Sequence, residues 1–99
     1  MLANCEFMLT ALLLRTKRHD AGEKMKDGDA SRLKAHCSRL SREVVALGRE
    51  CMGGNGILAE YGVARHFVDL EALYTYEGTY DINSLVSARQ ITGGLPAFI

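Results

Sequence analysis

The fold is decided by residues 31–51, which read SRLKAHCSRLSREVVALGREC. Apolar side chains recur here at alternating steps of four and three, so they fall on one stripe of a helix. They are Leu33, Cys37, Leu40, Val44, Leu47 and Cys51. Because such a stripe packs against neighbouring helices, it predicts a helical bundle. Asp29 or Ser31 can cap the start of this helix.

The opposite face of the same helix is charged. It carries Arg32, Lys34, Arg39, Arg42, Glu43, Arg49 and Glu50. A solvated surface is the simpler interpretation, and a surface for an acidic partner is the alternative. His36 lies beside the apolar stripe, and we expect a packed or hydrated side chain because no second metal ligand lies one turn away.

The segment before this helix combines an apolar start with a charged end. Residues 2–13 place apolar side chains at spacings of three and four, and they carry more of them than a surface helix does. We expect this helix to be buried on several sides and to end between His19 and Gly22. The charged residues that follow, with turn signals at Ala21-Gly22 and Asp27-Gly28, predict a solvated connection in which His19 is hydrated.

A glycine-rich segment follows the central helix and reads Met52-Gly53-Gly54-Asn55-Gly56-Ile57. Glycine and asparagine tolerate positive φ after a helix end, so a helix C-cap and loop is one interpretation. The other is that bare backbone approaches a ligand closely, as glycine-rich loops do around phosphates. The spacing matches neither a Walker loop nor the dinucleotide fingerprint, and no strand precedes it.

Residues 59–73 predict a shorter helix, although Gly62 weakens its first turn. Its apolar face consists of Val63, Phe67 and Leu70. His66 and Asp69 have the spacing of a general base with an orienting carboxylate. Since no nucleophile lies nearby in sequence, we interpret them as a surface pair.

Residues 74–82 read YTYEGTYDI and place one acid, Glu77, directly before the last helix. Gly78 lets the backbone turn sharply. The Thr79 hydroxyl can cap the helix, and Asp81 suits its positive end. The apolar stripe of this helix consists of Ile82, Leu85 and Val86. The helix is expected to stop at Gly93, Gly94 and Pro96. The stretch predicts a single carboxylate at the mouth of a helix.

Composition narrows the class of protein. No strand pattern occurs, so the predicted fold class is all-α. The 99 residues are 47% hydrophobic and carry no formal net charge, which indicates one soluble unit with a modest core and argues against nucleic-acid binding. No apolar run is long enough to span a membrane. The three cysteines, Cys5, Cys37 and Cys51, lack metal-site spacing, so we expect reduced intracellular thiols and no metal.

The order of motifs resembles the C-terminal helical domain of the acyl-CoA dehydrogenase superfamily. After the striped helix the motifs are Gly53-Gly54-Asn55-Gly56, Glu60-Tyr61, Arg65, Asp69, Tyr76-Glu77-Gly78-Thr79, a short apolar helix and Arg89. Residues 69–83, closed by Ile91-Thr92-Gly93, are most similar to glutaryl-CoA dehydrogenases and to the related plant short-chain acyl-CoA oxidases. The resemblance implies an up-down helical bundle.

The resemblance implies that Glu77 is the base that removes the α-proton of a fatty or dicarboxylic acyl-CoA thioester. The β-hydrogen would leave as hydride to FAD. A carboxylate suits this role, because proton abstraction beside a thioester needs a base in a dry cleft, where desolvation raises its basicity. Tyr76 and Gly78 would contact the substrate.

The resemblance also implies two cofactor-binding segments. Thr79, Tyr80 and Asp81 match positions that contact FAD at the start of the last helix. A second segment matches the one that touches the adenosine and pyrophosphate of the FAD in a neighbouring subunit; it consists of Glu50, Cys51, Met52, Gly53 and Gly54. Many family members carry glutamine at the position of Glu50, whereas glutaryl-type members often carry an acid.

Family members also possess an N-terminal α-helical domain and a small β-domain, and Met1 aligns inside the second helix of their C-terminal domain. We therefore expect residues 1–99 to be an incomplete C-terminal domain without dehydrogenase activity of its own. A base without a substrate cleft loses the contribution of positioning, which is about 7 to 11 kcal/mol. A non-enzymatic helical interaction module derived from the family is the alternative from another class.

The expected partners are an acyl-CoA substrate, an electron-transfer flavoprotein as electron acceptor and further copies of the chain in a homo-oligomer. A short-chain acyl-CoA oxidase, which passes electrons to oxygen, is the alternative enzyme. The chain does not end in Ser-Lys-Leu, which favours the mitochondrial matrix or a bacterial cytoplasm over the peroxisome.

Overall fold

A computed structural model describes residues 1–94 of the chain. It contains four α-helices: α1 (Leu2–Asp20), α2 (Asp27–Cys51), α3 (Val63–Thr75) and α4 (Tyr80–Ile91). Two short 3-10 segments, Gly53–Ile57 and Ala59–Tyr61, connect α2 to α3. No strand occurs in residues 1–94, so the predicted all-α fold is confirmed. Pro96, predicted to help end the last helix, lies outside the described residues.

Helix α2 is the centre of the bundle, because α1, α3 and α4 all pack against it. The first four residues of its predicted stripe are half-buried, whereas Leu47 and Cys51 are exposed. The closest packing is made by small and polar residues instead. Gly28 and Ala35 on α2 are buried, as are Asn83 and Ser87 on α4. Small side chains at this interface let the two helix backbones approach each other.

The predicted apolar stripe on α4 is only partly its packing face, since Val86 is half-buried. Ile82 and Leu85 remain 41% and 42% exposed. Asn83 and Ser87, which lie one turn apart, are buried instead: the Asn83 amide donates to carbonyls of the turn before α4, and the Ser87 hydroxyl accepts from Arg32 of α2. Both polar side chains are therefore buried with hydrogen-bond partners.

Helix α2 begins earlier than the sequence indicated. Its first residue is Asp27, so Asp27-Gly28 is helical rather than a turn, and neither Asp29 nor Ser31 is the cap. The Asp29 carboxylate instead accepts the backbone N–H of Lys26 at 3.2 Å, which satisfies a free donor at the helix start. A side chain at Gly28 would overlap Gln90 of α4.

The other helix ends follow the sequence more closely. Helix α1 ends at Asp20, inside the predicted interval. The Thr79 hydroxyl accepts the N–H of Ile82 at 3.3 Å, which confirms Thr79 as the cap of α4. Helix α3 starts at Val63 instead of residue 59, because Gly62 has a φ of 81° and a helix cannot continue through that left-handed conformation.

The molecule is flat and has little apolar core. Its dimensions are 49 × 35 × 17 Å and its radius of gyration is 16.1 Å, against about 13 Å for a compact chain of this length. Within residues 1–94, Ala35 is the only apolar side chain that is buried. The expected burial of α1 is wrong for the chain by itself, since Phe7 and Leu14 are 70% and 57% exposed. These faces need a further surface to cover them.

Candidate active site

The connection between α3 and α4, residues 76–79, holds Glu77 in an unusual backbone conformation. Glu77 has a φ of 54° and is the only non-glycine residue in residues 1–94 with positive φ. Gly78 follows with a φ of 88°. The left-handed conformation costs an L-residue about 1–2 kcal/mol, so the surrounding structure must hold Glu77 in place. Such strain is typical of functional sites.

One buried amide fixes the backbone that follows Glu77. The side-chain nitrogen of Asn83 donates to the carbonyl of Gly78 at 2.7 Å and lies 3.2 Å from the carbonyl of Thr79 and 3.4 Å from that of Glu77. Asn83 is 8% exposed, so these bonds are shielded from water. A Cβ at Gly78 would lie against this amide, which explains why glycine stands there.

A cation from α2 binds the same turn. The Lys34 ammonium donates to the carbonyl of Tyr74 at 3.1 Å and to that of Gly78 at 2.6 Å, and both bonds are partly buried. These two carbonyls flank Glu77. The Tyr74 carbonyl belongs to the last turn of α3, where the helix dipole favours a positive charge. Lys34 therefore joins both sides of the turn to α2.

Two arginines of α2 hold the aromatic residues beside the turn. Arg42 donates to Glu71 at 2.6 Å and lies 4.1 Å from the ring centre of Tyr74, and Glu71 raises the pKa of Arg42. The rings of Tyr74 and Tyr80 stack at 6.1 Å, and Arg39 donates to the Tyr80 hydroxyl at 3.1 Å. These contacts correct the solvated interpretation for part of the charged face, although Glu43 and Glu50 are exposed as expected. Several of its cations point toward α3 and α4, because free carbonyls, carboxylates and rings are available there.

The side chain of Glu77 is exposed and lines a groove of about 400 Å³ between α2 and α3. Apolar walls come from Leu70, Leu73 and Tyr76, which places the predicted substrate residue Tyr76 next to the predicted base. Cys37 lines the same groove, and burial raises the pKa of its thiol. The dry cleft expected around the base is not formed by residues 1–94, because the Glu77 carboxylate faces solvent.

The predicted cofactor residues after Glu77 lie at the first turn of α4. Thr79 and Asp81 are exposed, and the Thr79 oxygen accepts a hydrogen bond while its hydroxyl hydrogen has no acceptor among residues 1–94. Tyr80 is half-buried and lines a second groove, of about 480 Å³, between α2 and α4. The structure thus brings these three residues together with Glu77.

The second predicted cofactor segment lies far from Glu77 within one chain. Glu50 follows Lys34 by sixteen residues of α2, which is about 24 Å along the helix axis. Met52 is half-buried and the other four residues of the segment are exposed; these are Glu50, Cys51, Gly53 and Gly54. A single chain cannot bring this segment to the turn that carries Glu77.

The glycines of this loop have different structural roles. Helix α2 ends at Cys51 and Gly53 takes a φ of 56°, so the predicted cap and loop is confirmed. A Cβ at Gly56 would overlap the Arg49 carbonyl, and close packing therefore requires this glycine. Gly53 and Gly54 have open space above their Cα atoms, so packing within the chain does not explain them.

The histidines form no site within the described part of the chain. His19, His36 and His66 are all exposed, and Asp69 makes no ion pair with His66. No group of three or more His, Cys, Asp or Glu side chains in residues 1–94 could hold a metal ion. No helix in the same range is long and apolar enough to cross a membrane.

Sequence reasoning missed Lys34 and Asn83 as parts of the site. Asn83 carried a signal, since asparagine is unfavourable inside a helix unless its amide bonds to nearby backbone. Lys34 carried none, because a lysine next to an apolar stripe is ordinary on a helix surface. Only the packing of α3 and α4 on α2 shows which lysine meets the turn.

These features define the class of the protein: a helical bundle domain that presents one carboxylate on a fixed turn beside an apolar groove. The family model of the acyl-CoA dehydrogenase C-terminal domain matches residues 1–92. The chain therefore belongs to the acyl-CoA dehydrogenase family, and the match covers nearly all the residues that the structure describes.

Proposed function

We propose that this chain supplies the general base, Glu77, for α,β-dehydrogenation of an acyl-CoA thioester. The observation that supports the proposal is the strained backbone of Glu77, whose turn is bound by both Lys34 and Asn83, with its carboxylate open to an apolar groove. A carboxylate that served only to cap a helix would not need a left-handed backbone.

In the proposed reaction, a Glu77 oxygen takes the proton from the α-carbon of the thioester. The electron pair of that C–H bond forms the α,β double bond as the β-carbon loses hydride. FAD, when bound, accepts this hydride. The groove beside Glu77 holds the acyl chain against Leu70, Leu73 and Tyr76, which orients the α-carbon toward the carboxylate.

The cofactor-binding roles belong to the same proposal. The unused hydroxyl hydrogen of Thr79 can donate to a phosphate or ring acceptor, and the open backbone at Gly53 and Gly54 lets a flat ligand approach closely. Glu50 and Asp81 are exposed acids, which suit ribose hydroxyls better than phosphates. These properties fit FAD. Because residues 50–54 lie far from the first turn of α4 within one chain, the two segments would serve two different FAD molecules in an oligomer.

We propose a short acyl-CoA of the glutaryl type as the substrate, on the similarity of residues 69–83 and the small apolar groove. An electron-transfer flavoprotein is the proposed electron acceptor, and oxygen is the acceptor if the enzyme is an oxidase. The proposed compartment is the mitochondrial matrix or a bacterial cytoplasm.

The exposed apolar side chains support two further parts of the proposal. The apolar residues of α1 need a covering surface, so the chain acts within a homo-oligomer or together with the other domains of the family fold. By itself it is inactive, because its base faces water. The same exposed faces favour the second candidate function, a helical interaction module without chemistry.

Replacement of Glu77 by Gln tests the proposed function. In protein that carries FAD and the family's N-terminal domains, we expect turnover to fall by about 10²- to 10⁴-fold. The amide keeps the shape of the carboxylate but not its basicity. Turnover is measured as acyl-CoA-dependent bleaching of flavin absorbance, and bound flavin should remain.

Glu60→Gln is the matched control, since Glu60 is an exposed acid outside the groove. It should leave turnover unchanged. Normal turnover in the Glu77→Gln protein would show that Glu77 is not the base and would favour the interaction module. Flavin reduction by the isolated chain would disprove its proposed inactivity.

A further inference from the structure

We propose that Lys34 is a positioning residue: its ammonium holds the Glu77 turn in the left-handed conformation and so sets the direction of the carboxylate. The catalytic meaning of this inference rests on the proposed role of Glu77. The structural part does not, since it concerns only how the turn is held.

Lys34 binds a backbone carbonyl on each side of Glu77 in the sequence. Its two acceptors, the carbonyls of Tyr74 and Gly78, lie three residues before and one residue after Glu77. Rotation of the Glu77 backbone out of the left-handed region would move these carbonyls relative to each other. A single ammonium that binds both therefore opposes that rotation.

The turn needs such a restraint because a glutamate backbone disfavours the left-handed conformation. A glutamate favours right-handed or extended backbone over the left-handed form by roughly 5- to 30-fold. Asn83 also bonds to the Gly78 carbonyl, but its acceptors at residues 77–79 lie next to its own helix. Among residues 1–94, Lys34 is the only side chain of α2 that donates to residues 76–79.

Lysine has the geometry for this role. Its ammonium offers three donors on a flexible stem, so it can serve two carbonyls that are not coplanar. The bonds are partly buried and carry a full charge, which makes them stronger than neutral hydrogen bonds. Methionine at this position would keep the apolar stem and remove the donors.

Proteolysis of the chain by a glutamate-specific protease tests the structural part directly. Cleavage after Glu77 requires local opening of the turn, and its rate tracks the open population. Loss of charge-assisted bonds in Lys34→Met should raise cleavage between Glu77 and Gly78 by about 10- to 100-fold. Cleavage after Glu60, in the neighbouring connection, should stay unchanged and serves as the internal reference.

Lys24→Met is the control variant, because Lys24 is an exposed lysine whose ammonium donates to no acceptor within residues 1–94; only its backbone carbonyl is bonded, to Arg15. This variant should be cleaved after Glu77 at the same rate as the unaltered chain. Lys34→Gln keeps a single donor group and should give an intermediate rate. An unchanged rate after Glu77 in Lys34→Met would overturn the inference. Equal acceleration at Glu60 and Glu77 would also overturn it, because Lys34 would then support the whole fold rather than the turn.

Kinetics of the FAD-bound enzyme test the catalytic part. Lys34→Met should lower kcat for acyl-CoA oxidation by about 10²-fold, since a misplaced base slows the chemical step. KM should change less, because methionine keeps the apolar stem that Lys34 contributes to the groove. Lys34→Arg, which keeps the charge and several donors, should restore part of kcat. If Lys34→Met and Lys34→Arg lower kcat equally, the cationic hydrogen-bond donor does not position the base and the inference is contradicted.

The two proposals fail in different ways. If Glu77→Gln keeps its turnover, the proposed function fails, while the protease result still stands. If Glu77→Gln abolishes turnover and Lys34→Met leaves kcat unchanged, Glu77 remains the base and the positioning role of Lys34 is refuted.

Discussion

Replacement of Gly78 by Ala tests whether the turn that carries Glu77 is held as the structure shows. Gly78 has a φ of 88°, so alanine there incurs the left-handed cost of about 1–2 kcal/mol. Its Cβ would also lie against the Asn83 amide and displace it. Loss of one or two of the Asn83 bonds adds about 1 kcal/mol each. The expected loss in the free energy of unfolding is about 2–4 kcal/mol.

Gly62→Ala is the matched control. Gly62 has a nearly equal φ of 81°, but no atom lies within 4 Å of the position that its Cβ would take. It should therefore lose only the left-handed cost of about 1–2 kcal/mol. Alanine also reduces the entropy of the unfolded chain, and this effect is the same at both sites. The difference between the two variants isolates the contact with Asn83.

Urea unfolding followed by circular dichroism at 222 nm measures both free energies at one protein concentration. Gly78→Ala should be less stable than Gly62→Ala by about 1–2 kcal/mol. Equal stabilities would refute the reasoning, because the Asn83 amide would then contribute nothing to the turn. Greater stability of Gly78→Ala would show that Gly78 does not adopt a positive φ in solution.

Two further predictions concern titration and thiol reactivity. The Lys26 backbone N–H lowers the pKa of Asp29, with Gln90, Arg15 and Arg32 acting in the same direction. This carboxylate therefore stabilises the fold above its unfolded pKa of about 3.9, and the contribution is lost as pH falls through the lower folded value. Acid unfolding of Asp29→Asn should accordingly depend less steeply on pH below 4, and an identical dependence would contradict the assignment. Burial raises the pKa of Cys37, whereas Cys5 and Cys51 are exposed, so iodoacetamide at pH 8 should label Cys37 last by mass spectrometry; first labelling of Cys37 would contradict its burial.

Local signals in the sequence predicted the helices well where the deciding interactions are local. The Thr79 hydroxyl needs only the next turn of chain to cap α4, and the alternating apolar spacing of residues 33–51 needs only helical geometry to form a stripe. The start of α3 was wrong because Gly62 adopts a left-handed conformation that composition does not reveal. The predicted start of α2 was too late, because the Asp29 carboxylate accepts the Lys26 backbone N–H from inside the first turn of the helix.

The packing faces were predicted less well, because burial depends on which surfaces meet. The apolar residues Ile82 and Leu85 suggested the inner face of α4, yet Asn83 and Ser87 occupy it. The leucines of α1 suggested a buried helix, yet all five are exposed in a bundle only 17 Å thick. An apolar pattern shows that a face will be covered but not by which surface.

The sequence by itself determined the all-helical class, the family resemblance and the choice of Glu77 as the candidate base. Periodicity, capping and motif order depend on residues close together in the chain, so they can be interpreted without coordinates. The tertiary structure decided that Glu77 has a left-handed backbone and that Lys34 and Asn83 hold it there. Lys34 and Gly78 are 44 residues apart, and only the packing of α3 and α4 on α2 brings this ammonium to that carbonyl.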